Sequence, residues 1–211
     1  MDMREQIEQL AFQLGVCDIG FSKVDDFKEG FENGVSIVVK LSDEVLREIS
    51  DKPTHSYFHH YRTVNTFIDQ CLLKIGMLLE RNGYRYVPIG ASQSINLDGN
   101  PFQGRYSHKK AACLAGHGSI GKNVLFLHRV HGPKVRLGTL FTDCDLGGPH
   151  LFPDNPCGSC QICANACPAM AIPHVLEYAS GQLPQLDAKA CIDYMKQHLK
   201  MIGRGAVCGI C

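Results

Sequence analysis

Four closely spaced cysteines constrain this chain more than any other feature. They are Cys157, Cys160, Cys163 and Cys167, and Pro168 follows the last of them. The spacing C-x2-C-x2-C-x3-C-P is that of ligand runs for [4Fe–4S] clusters, in which the fourth cysteine binds a second cluster rather than the first. Pro168 prevents the last turn from continuing as a helix interior. The run therefore predicts iron–sulfur chemistry.

Two other uses of cysteine fit this run less well. Zinc sites usually pair C-x2-C knuckles across a longer loop. Disulfides belong to oxidising compartments, and residues 1–15 have the composition of an acidic amphipathic helix rather than of a signal peptide. No apolar run approaches the roughly 20 residues of a membrane-spanning helix. We therefore expect a cytoplasmic, reducing location and no membrane partner.

The eleven cysteines are unevenly distributed. Seven lie in the last 55 residues, where Cys191, Cys208 and Cys211 follow the run. The other four, which are Cys17, Cys71, Cys113 and Cys144, are scattered, and free cysteines of this kind are usually buried small hydrophobes. The pattern places the metal chemistry at the C-terminal end of the chain.

Hydrophobic periodicity predicts a mixed α/β (α+β) protein. Helices are expected over 3–14, 57–82 and 108–115, and strands over 17–24, 35–41, 84–89, 124–128 and 135–142. Glycine and proline are frequent in 147–156, which indicates a domain boundary there. We therefore predict an α/β domain over 1–150 and an iron–sulfur domain over 151–211.

The segment between residues 99 and 142 is the expected binding region. It contains no Asp or Glu but seven Lys or Arg residues, so it favours an anionic or amide-rich ligand. The polar stretch 90–106 is too long for a simple connector, which suggests a binding or lid role. Gly116-x-Gly118-x-x-Gly121 formally matches a dinucleotide fingerprint, but that fingerprint follows a strand and opens a helix. Here the order is helix, loop, strand, and Asn123 stands where a phosphate-binding loop needs Ser or Thr. Neither nucleotide interpretation holds.

Three motifs resemble those of the epoxyqueuosine reductases and their paralogues. These are His108-Lys109-x-Ala-Ala-x-x-Ala-Gly116-x-Gly118-x-Ile120-Gly121-Lys122-Asn123, then Gly132-Pro133-x-Val-Arg136-Leu-Gly138-Thr139-x-x-Thr142-Asp143, and then the cysteine run. The resemblance implies a cobalamin domain of nitroreductase-like fold followed by a ferredoxin-like module with two [4Fe–4S] clusters. The same core occurs in reductive dehalogenases.

The resemblance also implies roles for individual residues. Cys157, Cys160 and Cys163 would hold a first, distal cluster, and Cys167, Cys191, Cys208 and Cys211 a second cluster against the corrin. The residues expected to line cobalamin are His108, Lys109, His117, Gly118, Ser119, Ile120, Gly121, Lys122, Asn123, Arg136, Leu137, Gly138, Thr139 and Tyr194. Asp98, in Asp98-Gly-Asn-Pro101-Phe102, would be the proton donor, with Tyr106 and His108 as rivals.

Two departures from the family pattern affect the expectations. The spacer between Asp98 and the helix is longer than usual, and His108 replaces a glutamate, so the substrate stays open between a small molecule and a modified nucleotide. The cysteine expected after Cys211 to complete the first cluster is absent from the sequence, which we interpret as truncation. Binding to nucleic acid is left open for the same reason.

Three functions follow from these observations. The leading hypothesis is a cobalamin-dependent iron–sulfur reductase that takes electrons from an external donor of the ferredoxin or flavodoxin type. The second is a ferredoxin-like electron-transfer protein whose α/β domain binds a partner. The third is a flavin-containing iron–sulfur reductase, in which the cations of 105–136 would bind the flavin phosphate.

Overall fold

A four-stranded antiparallel sheet organises the computed structural model, which describes residues 1–93, 95, 104–148, 156–174 and 186–211. The six strands are β1 (Asp18–Lys23), β2 (Asn33–Lys40), β3 (Tyr86–Ile89), β4 (Gly118–Ile120), β5 (Phe126–His128) and β6 (Val135–Thr142). The main sheet has the order β1-β2-β6-β3, and β4 pairs with β5 as a separate hairpin. The strands β2 and β6 are central and almost wholly buried.

Six helices accompany the sheet: α1 (Met3–Leu14), α2 (Asp43–Arg47), α3 (His55–Arg81), α4 (His108–Leu114), α5 (Ile162–Ala166) and α6 (Ala188–His198). A short 3₁₀ turn follows at Gly203–Gly205. Asp2 and Glu5 form a capping box at the start of α1, and Gly15 ends that helix with φ of +97°. Ser107 accepts a hydrogen bond from the Lys110 backbone N–H, as its position before α4 predicts.

The two faces of the sheet pack against different helices, because successive side chains of a strand point to opposite sides. Val35, Ile37 and Val39 of β2 belong to the main core with the buried face of α3. Val38 between them belongs to a second cluster with Ala112 and Cys113 of α4. The alternation fixes α3 on one face and α4 on the other.

The predicted elements agree well with the observed ones. The mixed α/β class is confirmed, and the strand expected over 135–142 has these bounds in the structure. The helices α2, α5 and α6 had no predicted counterpart. A strand was also missed in residues 116–123, which were predicted as a loop. They contain β4, which approaches β5 so closely that a Cβ at Gly118 would lie 2.0 Å from the Leu127 carbonyl oxygen. Glycine is therefore required there by the hairpin itself.

The C-terminal segment packs against the helices of the N-terminal part. Val207 is buried in the main core, and Gly209 lies against Ile49 and Tyr57. The predicted boundary near residue 150 falls mostly in 149–155, outside the described residues. Within the described part of the chain, no helix has both the length and the apolar character needed to cross a membrane.

Candidate functional site

The structure gathers four cysteines into one group. The pKa of Cys211 is raised to about 11, first by loss of solvation and then by the neighbouring Cys208, Cys167 and Cys191 thiols. Burial and then Cys208 and Cys167 raise the pKa of Cys191, and burial and then Cys167 raise the pKa of Cys208. Cys167, Cys191, Cys208 and Cys211 therefore lie near one another and are a candidate ligand set for one metal cluster, which binds thiols in their deprotonated form.

The other three cysteines lie on a separate loop. Cys157 and Cys163 are half-buried and Cys160 is exposed. The Cys160 backbone N–H bonds the Cys157 carbonyl at 2.9 Å, which closes a tight turn before α5. Cys167 ends α5 and thus leaves this loop to join the four-cysteine group. The assignment of these two cysteine sets to two separate clusters stays a prediction.

The turn of the β4–β5 hairpin holds both cysteine segments. The Lys122 backbone N–H donates to the Cys157 Sγ at 3.3 Å, and its amine donates to the Cys160 carbonyl at 2.8 Å. The Asn123 Nδ2 donates to the Cys211 carbonyl at 2.7 Å. Lys122 and Asn123 were expected to line a corrin ring, but their side chains are turned to the cysteine segments instead.

A cavity of about 650 Å³ opens beside α4. His108, Lys109, Arg136 and Leu137 are among its lining residues, so four of the predicted cofactor residues meet here. Apolar side chains of the β5–β6 region form another part of the wall, which is lined by Leu125, Phe126, Pro133 and Val135. A cavity with an apolar wall and several polar groups is the usual form of a site for an organic ligand.

A second cavity, of about 810 Å³, adjoins the first and extends to Ala206 and Val207. The two cavities share Gly90, Ser92 and Gln93 in their walls. Val207, which precedes Cys208 in the chain, lines the second one. On the same side, burial and then the nearby Tyr61, Cys208 and Cys211 raise the pKa of Tyr57. The thiols therefore lie close to the wall of a continuous concave surface.

His108 has a neutral ring, and both of its nitrogens form hydrogen bonds within the fold. Its Nε2 lies 3.0 Å from the Gly90 carbonyl, and its Nδ1 lies 2.8 Å from the Thr139 hydroxyl. Because a carbonyl only accepts, Nε2 carries the proton and Nδ1 accepts from Thr139. Burial lowers the pKa of His108, which agrees with a neutral ring. Both nitrogens are occupied, so neither is free to give a proton to a ligand.

Tyr106 has a different environment in the wall of the cavity beside α4. Its hydroxyl donates to the Asp26 Oδ1 at 2.9 Å, and the other oxygen of Asp26 pairs with Lys110. Burial, followed by the hydrogen bond to Asp26, raises the pKa of Tyr106 well above that of a free phenol. Tyr106 thus remains protonated at neutral pH. Asp26 and Lys110 were not predicted as site residues, because Asp26 is distant in sequence and carries no motif.

His117 lies away from both cavities. It is 1% exposed, and its Nδ1 and Nε2 face the Asp18 Oδ2 and the Ser36 carbonyl, each at 3.1 Å. The Asp18 Oδ2 also accepts from the His128 Nε2 at 2.9 Å and from Arg129 at 2.6 Å. His117 was expected to face cobalamin, but it belongs instead to this buried network, which anchors the hairpin to β1.

Asp18, His117 and His128 have the composition of a metal site, with ligand atoms within 4.8 Å of one another. The hydrogen bonds favour a different interpretation. The His128 Nδ1 accepts from two backbone N–H groups, of Val130 and His131, so the proton is on Nε2, the atom that faces Asp18. With Arg129 on the same carboxylate, the group is a hydrogen-bonded charge network.

The remaining predicted residues have three different locations. Asp98 lies outside the described residues. Gly138 is buried where an added Cβ would meet Ile68 at 2.6 Å, so it serves helix–sheet packing. Tyr194 is half-buried on α6 and packs beside His198 with ring centroids 4.6 Å apart. Gly118, Ser119, Ile120 and Gly121 belong to the hairpin and are not among the residues that line the cavities.

Known proteins similar to this chain are of two related kinds. An epoxyqueuosine reductase of Lactococcus garvieae is 34% identical over 239 aligned positions, which cover 92% of this chain and 61% of that relative. A tetrachloroethene reductive dehalogenase of Desulfitobacterium hafniense is 32% identical over 109 residues, 48% of this chain and 17% of that protein. No family model matches the chain.

Solved structures show the same fold relationship. The catabolic reductive dehalogenase NpRdhA in complex with 3-bromo-4-hydroxybenzoic acid superposes with a TM-score of 0.77 at 18% identity, over 98% of this chain and 31% of that one. An epoxyqueuosine reductase with an epoxyqueuosine-modified tRNA stem loop gives a TM-score of 0.63 at 19% identity, over 92% and 57%.

This chain thus spans less than two thirds of the length of the proteins that it matches, from 17% of the dehalogenase sequence to 61% of the Lactococcus reductase. The relationship nevertheless extends from the N-terminal helix to the cysteine segments, since more than nine tenths of the chain is matched in sequence and in fold. Over more than nine tenths of its length, the chain is therefore similar in sequence to an epoxyqueuosine reductase, and it shares its fold with epoxyqueuosine reductases and reductive dehalogenases.

Proposed function

We propose that this chain is the catalytic core of a cobalamin-dependent iron–sulfur reductase. Electrons from an external donor of the ferredoxin or flavodoxin type would enter at the exposed Cys160 loop and continue through the four-cysteine group to a ligand in the cavities. The observation that carries the proposal is the contiguity of these parts: Val207, next to Cys208, lines a cavity that shares a wall with the one at His108 and Tyr106.

The residues fit the two kinds of cofactor. Cys167, Cys191, Cys208 and Cys211 supply the four thiolates that a [4Fe–4S] cluster requires. Cys157, Cys160 and Cys163 supply three ligands to the other cluster. We propose a nitroreductase-like domain over residues 1–150 and a ferredoxin-like domain over residues 151–211. A reducing cytoplasm suits such thiolates.

The cavity beside α4 suits a large, mostly apolar ring with polar edges. Phe126, Val135 and Leu137 would contact the ring, and Lys109 and Arg136 would lie at its amide-bearing periphery. Bound there, cobalamin would supply a cobalt centre that delivers electrons to the substrate. The protein would hold the ring against the thiol group and exclude water from the reacting face.

We assign the proton-donor role to Tyr106 among the three candidates. Its phenol stays protonated at neutral pH, lines the cavity and donates only to the exposed Asp26, a bond that a substrate can replace, whereas both nitrogens of His108 are engaged with structural groups of the fold. On giving up its proton, the phenolate would be stabilised by Lys110, whose amine already lies 5.9 Å from the centre of the Tyr106 ring. Asp26 would keep the Tyr106 hydroxyl and the Lys110 amine in place until a substrate is bound.

Two classes of substrate deserve direct comparison. A modified tRNA nucleotide follows from the relative whose structure includes an epoxyqueuosine-modified stem loop. A halogenated aromatic follows from the relative in complex with 3-bromo-4-hydroxybenzoic acid. Both can be offered to the same reconstituted protein, with product formation followed by mass spectrometry.

A flavin is the second candidate for the cavity, because Arg105, Lys109, Lys110 and Arg136 line it and a flavin phosphate needs such cations. The contacts of these cations weaken that alternative. Lys110 pairs with Asp26, Lys109 donates to the Val124 carbonyl at 2.8 Å, and Arg136 donates to Asn65 at 2.9 Å. An electron carrier without an organic cofactor is the third candidate.

One reconstitution experiment separates these functions. The protein is loaded anaerobically with iron, sulfide and cobalamin, passed through a gel-filtration column, and examined by absorption spectroscopy. Retained corrin supports the proposal, whereas loss of all corrin contradicts it. Yellow protein that releases FMN on denaturation would favour the flavin enzyme, and clusters without any organic cofactor would favour the carrier. Cys191→Ala should remove the four-cysteine cluster and substrate turnover together, as electron paramagnetic resonance and product analysis would show.

A further inference from the structure

Lys122 occupies an unusual position for a lysine. The residue is 2% exposed, although lysines are almost never fully buried without a partner. Its amine donates to the Cys160 carbonyl at 2.8 Å, to the His174 carbonyl at 3.4 Å and to the Gly158 carbonyl at 3.5 Å. These acceptors all belong to the segment that carries the first three cysteines or to its continuation.

The three contacts indicate a charged amine. An ammonium group has three N–H donors, and each of them has one carbonyl acceptor here, whereas a neutral amine would have only two donors. Among the residues that the structure describes, no carboxylate forms an ion pair with Lys122. A buried charge needs a counter-charge or a set of strong hydrogen bonds. The nearest source of negative charge is the thiolate loop itself, whose Cys157 Sγ accepts from the Lys122 backbone N–H.

The backbone around Lys122 is also strained. Val124 has φ of +59°, in the left-handed region that β-branched residues rarely adopt. The turn is held by a hydrogen bond from the Val124 N–H to the Gly121 carbonyl at 2.8 Å, and Lys109 donates to the Val124 carbonyl. A strained turn that is fixed from two sides and directs its lysine at a cysteine loop is consistent with a functional requirement for that geometry.

We infer that Lys122 is the counter-cation and positioning residue of the first cysteine loop. Its ammonium group holds the carbonyls of Gly158 and Cys160 and offsets the negative charge of an iron–sulfur cluster bound by Cys157, Cys160 and Cys163. The inference rests on the proposed function insofar as it requires that cluster. It gives Lys122 a place at the electron entry of the chain rather than in the substrate cavity.

The electrostatic consequence is a less negative reduction potential. Reduction adds an electron to the cluster, and a nearby buried cation stabilises the reduced form more than the oxidised one. Without the cation, the cluster should accept electrons less readily from the same donor. Hydrogen bonding alone would not produce this dependence on charge, so the potential separates an electrostatic role from a merely structural one.

The test compares Lys122→Met, which removes the charge, with Lys122→Arg, which keeps it. Anaerobically reconstituted proteins are titrated with redox mediators, and each cluster is followed by electron paramagnetic resonance. The signal of the first cluster is identified by its loss in Cys160→Ala. Lys134→Met is the control, because it removes the charge of an exposed lysine that pairs with Asp43 and does not touch the cysteine loop. At a fixed potential we expect the reduced-to-oxidised ratio of the first cluster to fall at least tenfold in Lys122→Met, which is a shift of about 59 mV for a one-electron couple.

The remaining cluster should keep its potential in Lys122→Met, and both clusters should keep theirs in Lys134→Met. An unchanged first-cluster potential in Lys122→Met would overturn the inference, and so would an equal shift in Lys122→Arg. If the wild-type protein binds no iron at all, the proposed function fails as well. Bound clusters with no effect of Lys122 would refute this inference alone.

A measurement on the wild-type protein covers the case in which Lys122→Met does not fold. Lysine acylation followed by mass spectrometry reports the accessibility of each amine. Lys122 should react at least tenfold more slowly in the reconstituted protein than after iron chelation, while the exposed Lys134 should react equally in both. Equal protection of Lys122 in the two states would show that the cluster does not engage it.

Discussion

Replacing Asp18 by asparagine should destabilise the protein and loosen its hold on the clusters. The Asp18 carboxylate anchors the β4–β5 hairpin, since it faces His117 before the hairpin and His128 within it. The opposite end of that hairpin carries Lys122 and Asn123, which contact the two cysteine segments. One partly exposed carboxylate on β1 therefore supports the geometry of both cysteine groups.

The size of the effect follows from the partners of the carboxylate. Hydrogen bonds to a charged group contribute about 1.5–3 kcal/mol each. The two histidine partners are buried, whereas the Arg129 side chain is 54% exposed and adds little. The asparagine oxygen can still accept one bond. We therefore expect a loss of about 2–4 kcal/mol in the free energy of unfolding, or about 4–16 °C in melting temperature for a chain of this size.

The pH dependence of the effect has a definite sign. Burial raises the pKa of Asp18, but the hydrogen bond from His128 and the charges of His117 and Arg129 outweigh it and lower the pKa below the unfolded value. A carboxylate with a lowered folded pKa stabilises the protein above its unfolded pKa of about 3.9 and loses that contribution as the pH falls through the folded value. The difference between wild type and Asp18→Asn should therefore be full at neutral pH and shrink in acid.

Urea unfolding followed by circular dichroism, at several pH values, measures this difference. Arg129→Met serves as the control and should lose no more than about 1 kcal/mol, because its guanidinium is half-exposed. If Asp18→Asn lowers the free energy of unfolding by less than about 0.5 kcal/mol at neutral pH, the reasoning is refuted, since surface substitutions alone have effects of that size. A difference that persisted undiminished at low pH would refute the assigned ionisation.

Three other predictions concern the cysteine segments, the core and the cavity. Asn123→Ala should lower the iron and sulfide content of the reconstituted protein by weakening the four-cysteine site, because the Asn123 amide holds the Cys211 carbonyl. The control Asn82→Ala, at the exposed end of α3, should leave that content unchanged. An equal loss of iron and sulfide in both variants would contradict the assignment. Gly138→Ala should lower the free energy of unfolding by about 1–3 kcal/mol through overpacking against α3. An unchanged midpoint of thermal unfolding would contradict this prediction, because it would show that α3 accommodates the added methyl group without cost. Tyr106→Phe should lower kcat by about 10²–10⁴-fold if the phenol gives the proton, with the clusters intact by electron paramagnetic resonance; a wild-type kcat would return the donor role to Asp98 or His108.

Local patterns predicted most of the fold. The apolar positions of α3 recur at helical spacing and β2 is a β-branched run, so each element is recognisable without its neighbours. The hairpin strand β4 was not recognisable, because three residues with two small side chains have little strand propensity of their own. Its pairing with β5 arises from the close backbone approach at Gly118, which is a contact between separate parts of the chain.

The candidate site divides in the same way. Spacing alone separates Cys157, Cys160 and Cys163 from Cys167, because ligands on one short loop reach only one cluster. Spacing does not tell which way a side chain of the glycine-rich segment points. The contacts of Lys122 and Asn123 with the cysteine segments, and the contact of Asp26 with Tyr106, could therefore not be predicted from the sequence.

The sequence by itself determined which chemistry we propose for this protein, since seven cysteines in one short segment leave few uses other than metal clusters. It also determined the order of the longer N-terminal helices and strands, because local side-chain periodicity specifies them. Only the tertiary structure decided which residues form the cavity and which hold the cysteine loops. Those assignments depend on the direction in which the hairpin folds back onto β1, and that direction is set by a largely buried carboxylate that binds groups more than 90 residues away.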